Sequence, residues 1–262
     1  MIARLRRHAL DAYAVIALGY LFLPIAVVIL FSFNHPAGRF NYTWQGFTLA
    51  NWAHPFDYPG LGSAVWVSIE IAVLSSLVAT ILGTLIALAL VRYRFRGSGT
   101  TNLLIFIPMT TPEIVLGASL LALFVNLNFV TLGFGTILVA HIMFNISYVV
   151  VTVRARLVGF DRHLEEAAMD LGANELVTFS KVTLPLIAPG ILAAALLAFA
   201  LSIDDFVITY FNAGTVVTFP LFVWGAARVA VPPQINVIGT AIFVVAVVGM
   251  IANVLWQGRR KT

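Results

Sequence analysis

The sequence predicts an all-α integral membrane protein with six transmembrane helices. Three observations carry that prediction. Of its 262 residues 61 % are hydrophobic and only 10 % charged, with a mean hydropathy of +0.99; a soluble domain carries about a quarter charged residues. Charge-free stretches cover 12–38, 71–91, 114–153, 182–203, 206–227 and 229–258, each near or above the roughly 20 residues that cross a ~30 Å hydrocarbon layer. Within them, 81–91 and 191–201 are continuously apolar or small, whereas strands of a membrane barrel alternate apolar with polar. The absence of cysteine excludes disulfides, thiolate metal sites and a cysteine nucleophile.

The first span, 12–33, follows Arg4, Arg6 and Arg7. It resembles the start of a signal peptide, but no small-x-small cleavage site closes it, so an uncleaved signal-anchor is expected. The second runs over 64–91. The 40-residue run 114–153 would make a helix of about 60 Å and is interrupted by Asn126, Asn128, Gly133 and Gly135, so it divides into two arms. These give spans at 102–125 and 133–153, with Pro108 and Pro112 kinking the former or shaping its opening turns. The fifth span is expected at 184–208. Gly214, Pro220, Pro232 and Pro233 break the next stretch and leave room there for a short non-spanning helix, and the sixth span covers 237–256.

Cations set the orientation, because Lys and Arg accumulate on the cytoplasmic side. Arg4, Arg6, Arg7, Arg92, Arg94, Arg96, Arg154, Arg156, Arg162, Lys181, Arg259, Arg260 and Lys261 fall on one side, and only Arg39 and Arg228 on the other. Both termini are therefore expected in the cytoplasm, which requires an even number of spans. The pI near 9.7 reports this topology and not a nucleic-acid surface, for which no segment offers a contiguous basic patch.

Two segments outside the membrane stand out. The external stretch 34–63 carries Phe40, Tyr42, Trp44, Phe47, Trp52, Phe56 and Tyr58, which suit either an interfacial aromatic belt or a docking surface. The cytoplasmic stretch 154–183 contains an expected helix: Asp161 can cap it, Glu165 and Glu166 favour its N-terminus, and Leu164, Ala167, Ala168 and Leu171 recur at helical spacing. Gly172 then supplies a C-cap or tight turn.

Glu166-Ala167-Ala168, three residues, Gly172, nine residues, and Val182-Thr183-Leu184-Pro185 resemble the EAA loop of ATP-binding-cassette importer permeases, with Val182 in place of Ile. The resemblance implies the type I importer fold and a coupling helix, built on Glu166, Ala167, Ala168, Gly172, Leu184 and Pro185, that docks on a separate ATPase subunit. The two lysines, Lys181 and Lys261, follow no Gly-x4-Gly, so the chain lacks a P-loop. It is expected to be no enzyme and to hold no cofactor; ATP and Mg belong to the partner ATPase.

Ionisable residues within spans cost on the order of 2.5–3.5 kcal/mol on insertion scales and so require a partner or a function. Glu70, Glu113, Asp204 and Asp205 qualify, and no cation lies at their depth. They are either protonated or face a cationic ligand. Asp204 is 19 residues beyond Pro185, about 28 Å of helix, which puts the pair toward the external mouth. Glu113 falls near mid-span, and Glu70 is close enough to the external interface to be solvated. His141 and Asn145, four apart, suit interhelical hydrogen bonds better than metal binding.

A narrower resemblance is spread over most of the chain. Trp44-Gln-Gly-Phe-Thr with Asn51-Trp52, Arg92-Tyr-Arg-Phe-Arg-Gly97, Thr111-Pro-Glu-Ile-Val115, Val150-Val-Thr-Val153, Ala168-Met-Asp-Leu-Gly-Ala173 and Ser202-Ile-Asp-Asp-Phe-Val-Ile208 are similar to the smaller spermidine/putrescine permease subunit. It implies Trp52, Glu113, Ser202, Asp204 and Asp205 as the substrate path. Glu113 and Glu70 depart from the family's usual Asp and neutral residue, which leaves the substrate among polyamines or another small solute. The implied partners are a second permease chain forming a heterodimer, a dimeric ATP-binding subunit and an extracytoplasmic solute-binding protein, in a bacterial inner membrane. An ion-coupled secondary transporter is the rival class; the low span count and lack of an inverted repeat speak against it.

Overall fold

The computed structural model describes residues 2–93, 95–127 and 130–259, with backbone alone at 2–9, 250 and 252–259. Arg94, Asn128, Arg260 and Lys261 of the topology argument lie outside the described residues. Among the described residues the regular elements are helical: α1 (Ile2–Ser32), α2 (Ala50–Ala53), α3 (Leu61–Arg92), α4 (Ser98–Thr110), α5 (Glu113–Asn126), α6 (Phe134–Val158), α7 (His163–Asp170), α8 (Glu175–Thr178), a π-helical turn (Phe179–Thr183), α9 (Leu184–Ile203), α10 (Val207–Asn212), α11 (Phe219–Val229) and α12 (Pro233–Arg259). It divides into two compact units, 1–62 with 222–262, and 63–221.

In the first unit α1 packs on α12, and the stretch that follows α1, expected on the external side, is an ordered loop built on asparagines. Asn34 Nδ2 donates to Asn41 Oδ1 (2.6 Å) and the Thr43 carbonyl (2.8 Å), and its Oδ1 accepts from the Gln45 amide (2.7 Å). Asn41 donates to Phe31 O and Asn51 to Ser32 O at the end of α1, where a helix leaves its last acceptors without helical partners, and Asn51 also donates to Asn34 O in the loop. Phe40, Tyr42, Trp44 and Phe47 remain exposed on this frame.

The second unit is built inside out relative to a soluble domain. Leu77, Ile81 and Leu85 on α3 and Leu192 and Leu196 on α9 are exposed, while Ala72, Ser75, Ala79, Ala87, Ala194, Ala198 and Ser202 are buried. Lipid offers apolar side chains no incentive to hide, so small residues that let backbones approach occupy the contacts. Ala79 and Ala87 of α3, Val149 and Val153 of α6 and Ala194 and Ala198 of α9 form one such core. At Gly83 a Cβ would lie 2.6 Å from Val149 Cγ1 and 2.8 Å from Val149 Cβ. Gly83→Ala is therefore expected to cost about 1–3 kcal/mol through overpacking, read as lower thermal stability in detergent. An unaltered melting temperature for Gly83→Ala would contradict this packing.

Among the described residues, four helical paths are long and apolar enough to cross a membrane: Leu10–Ser32, Leu61–Arg92, Phe134–Val158 and Glu175–Ile203. A fifth results if α4 and α5 count as one; α12 is apolar over the shorter Pro233–Gly249. The expected span 102–125, kinked or shaped by its prolines, is corrected to two helices: α4 and α5 meet at 110°. Proline disfavours the helical conformation in the residue before it, and Thr111 (ψ 132°) and Pro112 (ψ 132°) are both extended. Two extended residues in succession turn the axis where a kink was expected. The hydroxyls of Thr110 and Thr111 donate to the Phe106 (3.0 Å) and Ile107 (2.7 Å) carbonyls, and the Thr111 amide also donates to Ile107 O (2.9 Å), which closes the last turn of α4 before the break.

The expected span 184–208 is likewise corrected. Its helical path begins at Glu175, because the π turn, closed by Leu184 N to Phe179 O, carries the chain into Pro185 without a break. The helix ends at Ile203, with 204–206 non-helical before α10. The short non-spanning helix expected after it is α11.

Candidate functional site

A chain of buried polar residues from four helices of the second unit leads to the break between α9 and α10. Asn145 Nδ2 donates to Ser75 Oγ (3.5 Å), Ser75 Oγ to Ser202 Oγ (3.0 Å), and Ser202 Oγ lies 2.6 Å from His141 Nδ1. His141 Nε2 is 2.9 Å from Thr209 Oγ1, which donates to Asp205 Oδ2 (2.8 Å). With the His141 proton on Nε2 every donor points the same way, from Asn145 to the Asp205 carboxylate, so each bond polarises the next. His141 Nε2 is also 3.3 Å from Asp205 Oδ2, with side chains 3 % and 7 % exposed. The same carboxylate accepts from the amides of Ile208 (3.4 Å) and Thr209 (2.8 Å), capping the first turn of α10.

The network thus ties α3, α6, α9 and α10 together, and it brings Ser202 and Asp205 into one cluster. Asp204 stands outside it, an exposed residue at the C-terminal cap of α9. His141, Ser75 and Thr209 were not assigned to the site from sequence. The four-residue spacing of His141 and Asn145 announced interhelical bonds, but their partners come from helices 60 to 70 residues away.

Glu113 is the first residue of α5 and exposed. The break at Thr111 and Pro112 moves it from the middle of a helix to a helix N-terminus, where unpaired amides favour a carboxylate. α5 packs against α10 at Gly117, where a Cβ would stand 2.8 Å from the Phe211 ring, and Asn212 donates to the Gly117 carbonyl (3.4 Å). Trp52 belongs to the first unit. Its Nε1 donates to Ser32 Oγ (3.2 Å) and its ring stacks on Phe33 at 5.5 Å. Glu70 is half-buried on α3.

The stretch 154–183, expected on the cytoplasmic side, folds as helix, turn and helix. α7 carries Glu165 and Glu166 in its first turn, and Gly172 adopts φ +89°. The Ala173 amide donates to Ala168 O (3.1 Å) and the Gly172 amide to Met169 O (2.9 Å), the pair of bonds that closes a helix through a left-handed residue. Asn174 Oδ1 then accepts from the Val177 amide (2.9 Å) and starts α8. No described residue of α7 is buried, and Leu171 (91 %) and Leu176 (80 %) stand almost wholly in the open. Leu184 and Pro185, at the start of α9, are also exposed.

At the other end of α7, Asp161 Oδ1 accepts from the His163 amide (3.0 Å) and lies 2.7 Å from its Nδ1. That hydrogen bond, aided by the charges of Asp161 and Glu166, holds the His163 pKa above the ordinary histidine value, and lowers that of Asp161. The contribution of this pair to the α7 start is complete between the ordinary carboxylate and histidine pKa values, and is lost as pH rises through the raised histidine value or falls through the lowered aspartate one. The His163 ring is expected to titrate, by NMR, at lower pH in Asp161→Asn than in the parent chain; equal midpoints would contradict the pairing.

A family model, the inner membrane component of binding-protein-dependent transport systems, matches residues 79–258, and the chain belongs to that family. It is a permease component and not an enzyme. It is 40 % identical over 256 residues to the spermidine/putrescine transport system permease protein PotC of Escherichia coli (strain K12), covering 97 % of this chain and 95 % of that protein. To the putrescine transport system permease protein PotI of the same organism it is 40 % identical over 257 residues, covering 94 % and 91 %. Both bear out the resemblance read from the motifs. Among solved structures it is similar to a bacterial ABC transporter involved in the import of the acidic polysaccharide alginate, with a TM-score of 0.70 at 18 % identity over 95 % of this chain and 96 % of that one. An inward-facing methionine transporter, MetNI, gives 0.59 at 17 % identity over 74 % and 92 %. The two structures establish the ABC permease fold.

Proposed function

We propose that the whole chain, 1–262, acts as one six-span permease domain, with both termini cytoplasmic, and forms half of the translocation path of an ATP-driven polyamine importer. The observation that carries this reading is 40 % identity along almost the full chain to permeases named for spermidine and putrescine. A second permease chain, an ATPase dimer that binds ATP and Mg, and an external solute-binding protein complete the machine. Binding and hydrolysis of ATP move the ATPase, α7 with Glu166, Ala167, Ala168 and Gly172 moves with it, and the spans alternate between outward and inward access.

Asp204 is the group of the path most available to a polycation, being exposed and outside the polar network. Glu113 at the start of α5 adds negative charge, and Trp52 offers an aromatic face for cation–π attraction. Ser202 and Asp205 shape the path from behind, since their polar atoms are engaged by His141 and Thr209. Labelled putrescine and spermidine uptake by cells carrying the complete transporter tests the class. ATP depletion or vanadate is expected to stop uptake while a protonophore in ATP-replete cells leaves it running; the opposite pattern indicates an ion-coupled transporter.

A further inference from the structure

Glu165, the neighbour of the motif residue Glu166, ties the cytoplasmic segment to two other elements. Its Oε1 is paired with Arg92 Nη2 and accepts from the Thr183 hydroxyl, and Arg92 Nη2 also reaches Thr183 Oγ1 at 3.4 Å. Beside it, Arg162 Nη2 donates to the Val91 carbonyl at 2.9 Å, one of the acceptors that the end of α3 leaves unpaired. The Arg92 and Glu165 side chains are 27 % and 14 % exposed, and Thr183 is fully buried. The last turn of α3 is therefore clamped to the first turn of α7 and to the π turn, although 73 residues separate Arg92 from Glu165.

α3 holds no proline between Leu61 and Arg92, and its middle is packed against α6 at Gly83, Ala79 and Ala87. From Arg92 to Ser75 is 17 residues, about 25 Å of helix. At Ser75 the helix enters the hydrogen-bond chain that passes through Ser202 and His141 to Asp205. The half of α3 from Arg92 to Ser75 thus runs from the coupling segment to the break that carries Asp204.

We propose that Arg92, Glu165 and Thr183 form a strut that transmits movement of α7 into α3, giving the ATPase a second route to the Asp204 region besides the chain's own path through the π turn and α9. The three are positioning residues: they touch neither substrate nor ATP. The inference rests on the coupling role proposed for α7. An ion pair that is partly desolvated and reinforced by a hydroxyl suits the task, because breaking one partner leaves a buried charge unpaired, so α7 and the end of α3 move as one body.

Charge exchange in the complete transporter, reconstituted in proteoliposomes, tests it. Arg92→Glu and Glu165→Arg, each alone, are expected to co-purify with the ATPase yet to lower uptake per ATP hydrolysed at least about tenfold, a coupling loss of the order of 1–2 kcal/mol. The double exchange restores the pair and is expected to recover uptake per ATP to within about threefold of the parent. Single variants that transport like the parent, or an assembled double variant as poor as the singles, would overturn the strut. If the single exchanges do not assemble, Glu165→Gln, which keeps the shape and loses the charge, is measured in their place, and parental uptake per ATP in it overturns the proposal. Gly172→Val is run alongside. Coupled exchange variants beside an uncoupled Gly172→Val fault the strut alone, and a fully coupled Gly172→Val faults the α7 reading beneath it.

Discussion

Gly172→Val is expected to lower substrate uptake at least about tenfold while the permease still assembles with its ATPase, and Gly172→Asn to retain most of it. The separation follows from the backbone. At φ +89° an L side chain costs about 1–2 kcal/mol, a penalty that asparagine evades and a β-branched residue does not. A Cβ at this position would meet nothing within 4 Å, so the chain tolerates it sterically and its fold survives. What changes is the turn: the bonds from Ala173 to Ala168 and from Gly172 to Met169 set the direction in which α7 leaves toward α8. A shifted turn re-aims Leu171 and Leu176, the most exposed apolar side chains of the segment. Uptake, ATPase rate and co-purification measured on both variants decide the matter, and equal behaviour of Val and Asn would remove the left-handed turn from the coupling argument.

The second large effect separates two adjacent acids. Asp204→Asn is expected to reduce polyamine uptake at least about tenfold with unchanged thermal stability, because a polycation loses a charge partner at an exposed site. Asp205→Ala is expected to act first on the fold. It removes the acceptor shared by the Thr209 amide, the Thr209 hydroxyl and His141, and buried donors left unpaired cost about 1–3 kcal/mol each. A lower melting temperature and poorer recovery from detergent should therefore mark Asp205→Ala alone. If Asp204→Asn destabilised the permease and Asp205→Ala did not, the division of labour would be reversed.

What the sequence made legible was local. The turn at Gly172 and the helix start around Asp161 follow from residue types at short range. Pro112 showed that α4 could not run straight into α5, but a kink and a 110° turn differ only in how many residues become extended. Glu165 and Glu166 are identical in type and adjacent, so no pattern along the chain reveals that Glu165 meets Arg92. Likewise Ser75, His141 and Thr209 read as ordinary small or polar residues of separate apolar helices until packing brings them together. The two aspartates stood out by composition, and only the ending of α9 at Ile203 distinguishes the exposed one from the one turned inward.

The most direct measurement is uptake of labelled putrescine and spermidine by proteoliposomes that hold the complete transporter and internal ATP, comparing the parent chain with Asp204→Asn. The result expected is ATP-dependent uptake of at least one of the two by the parent and its loss in an equally stable, equally assembled variant. Parental uptake in Asp204→Asn, or no polyamine uptake by a parent complex whose ATPase is active, would contradict the account.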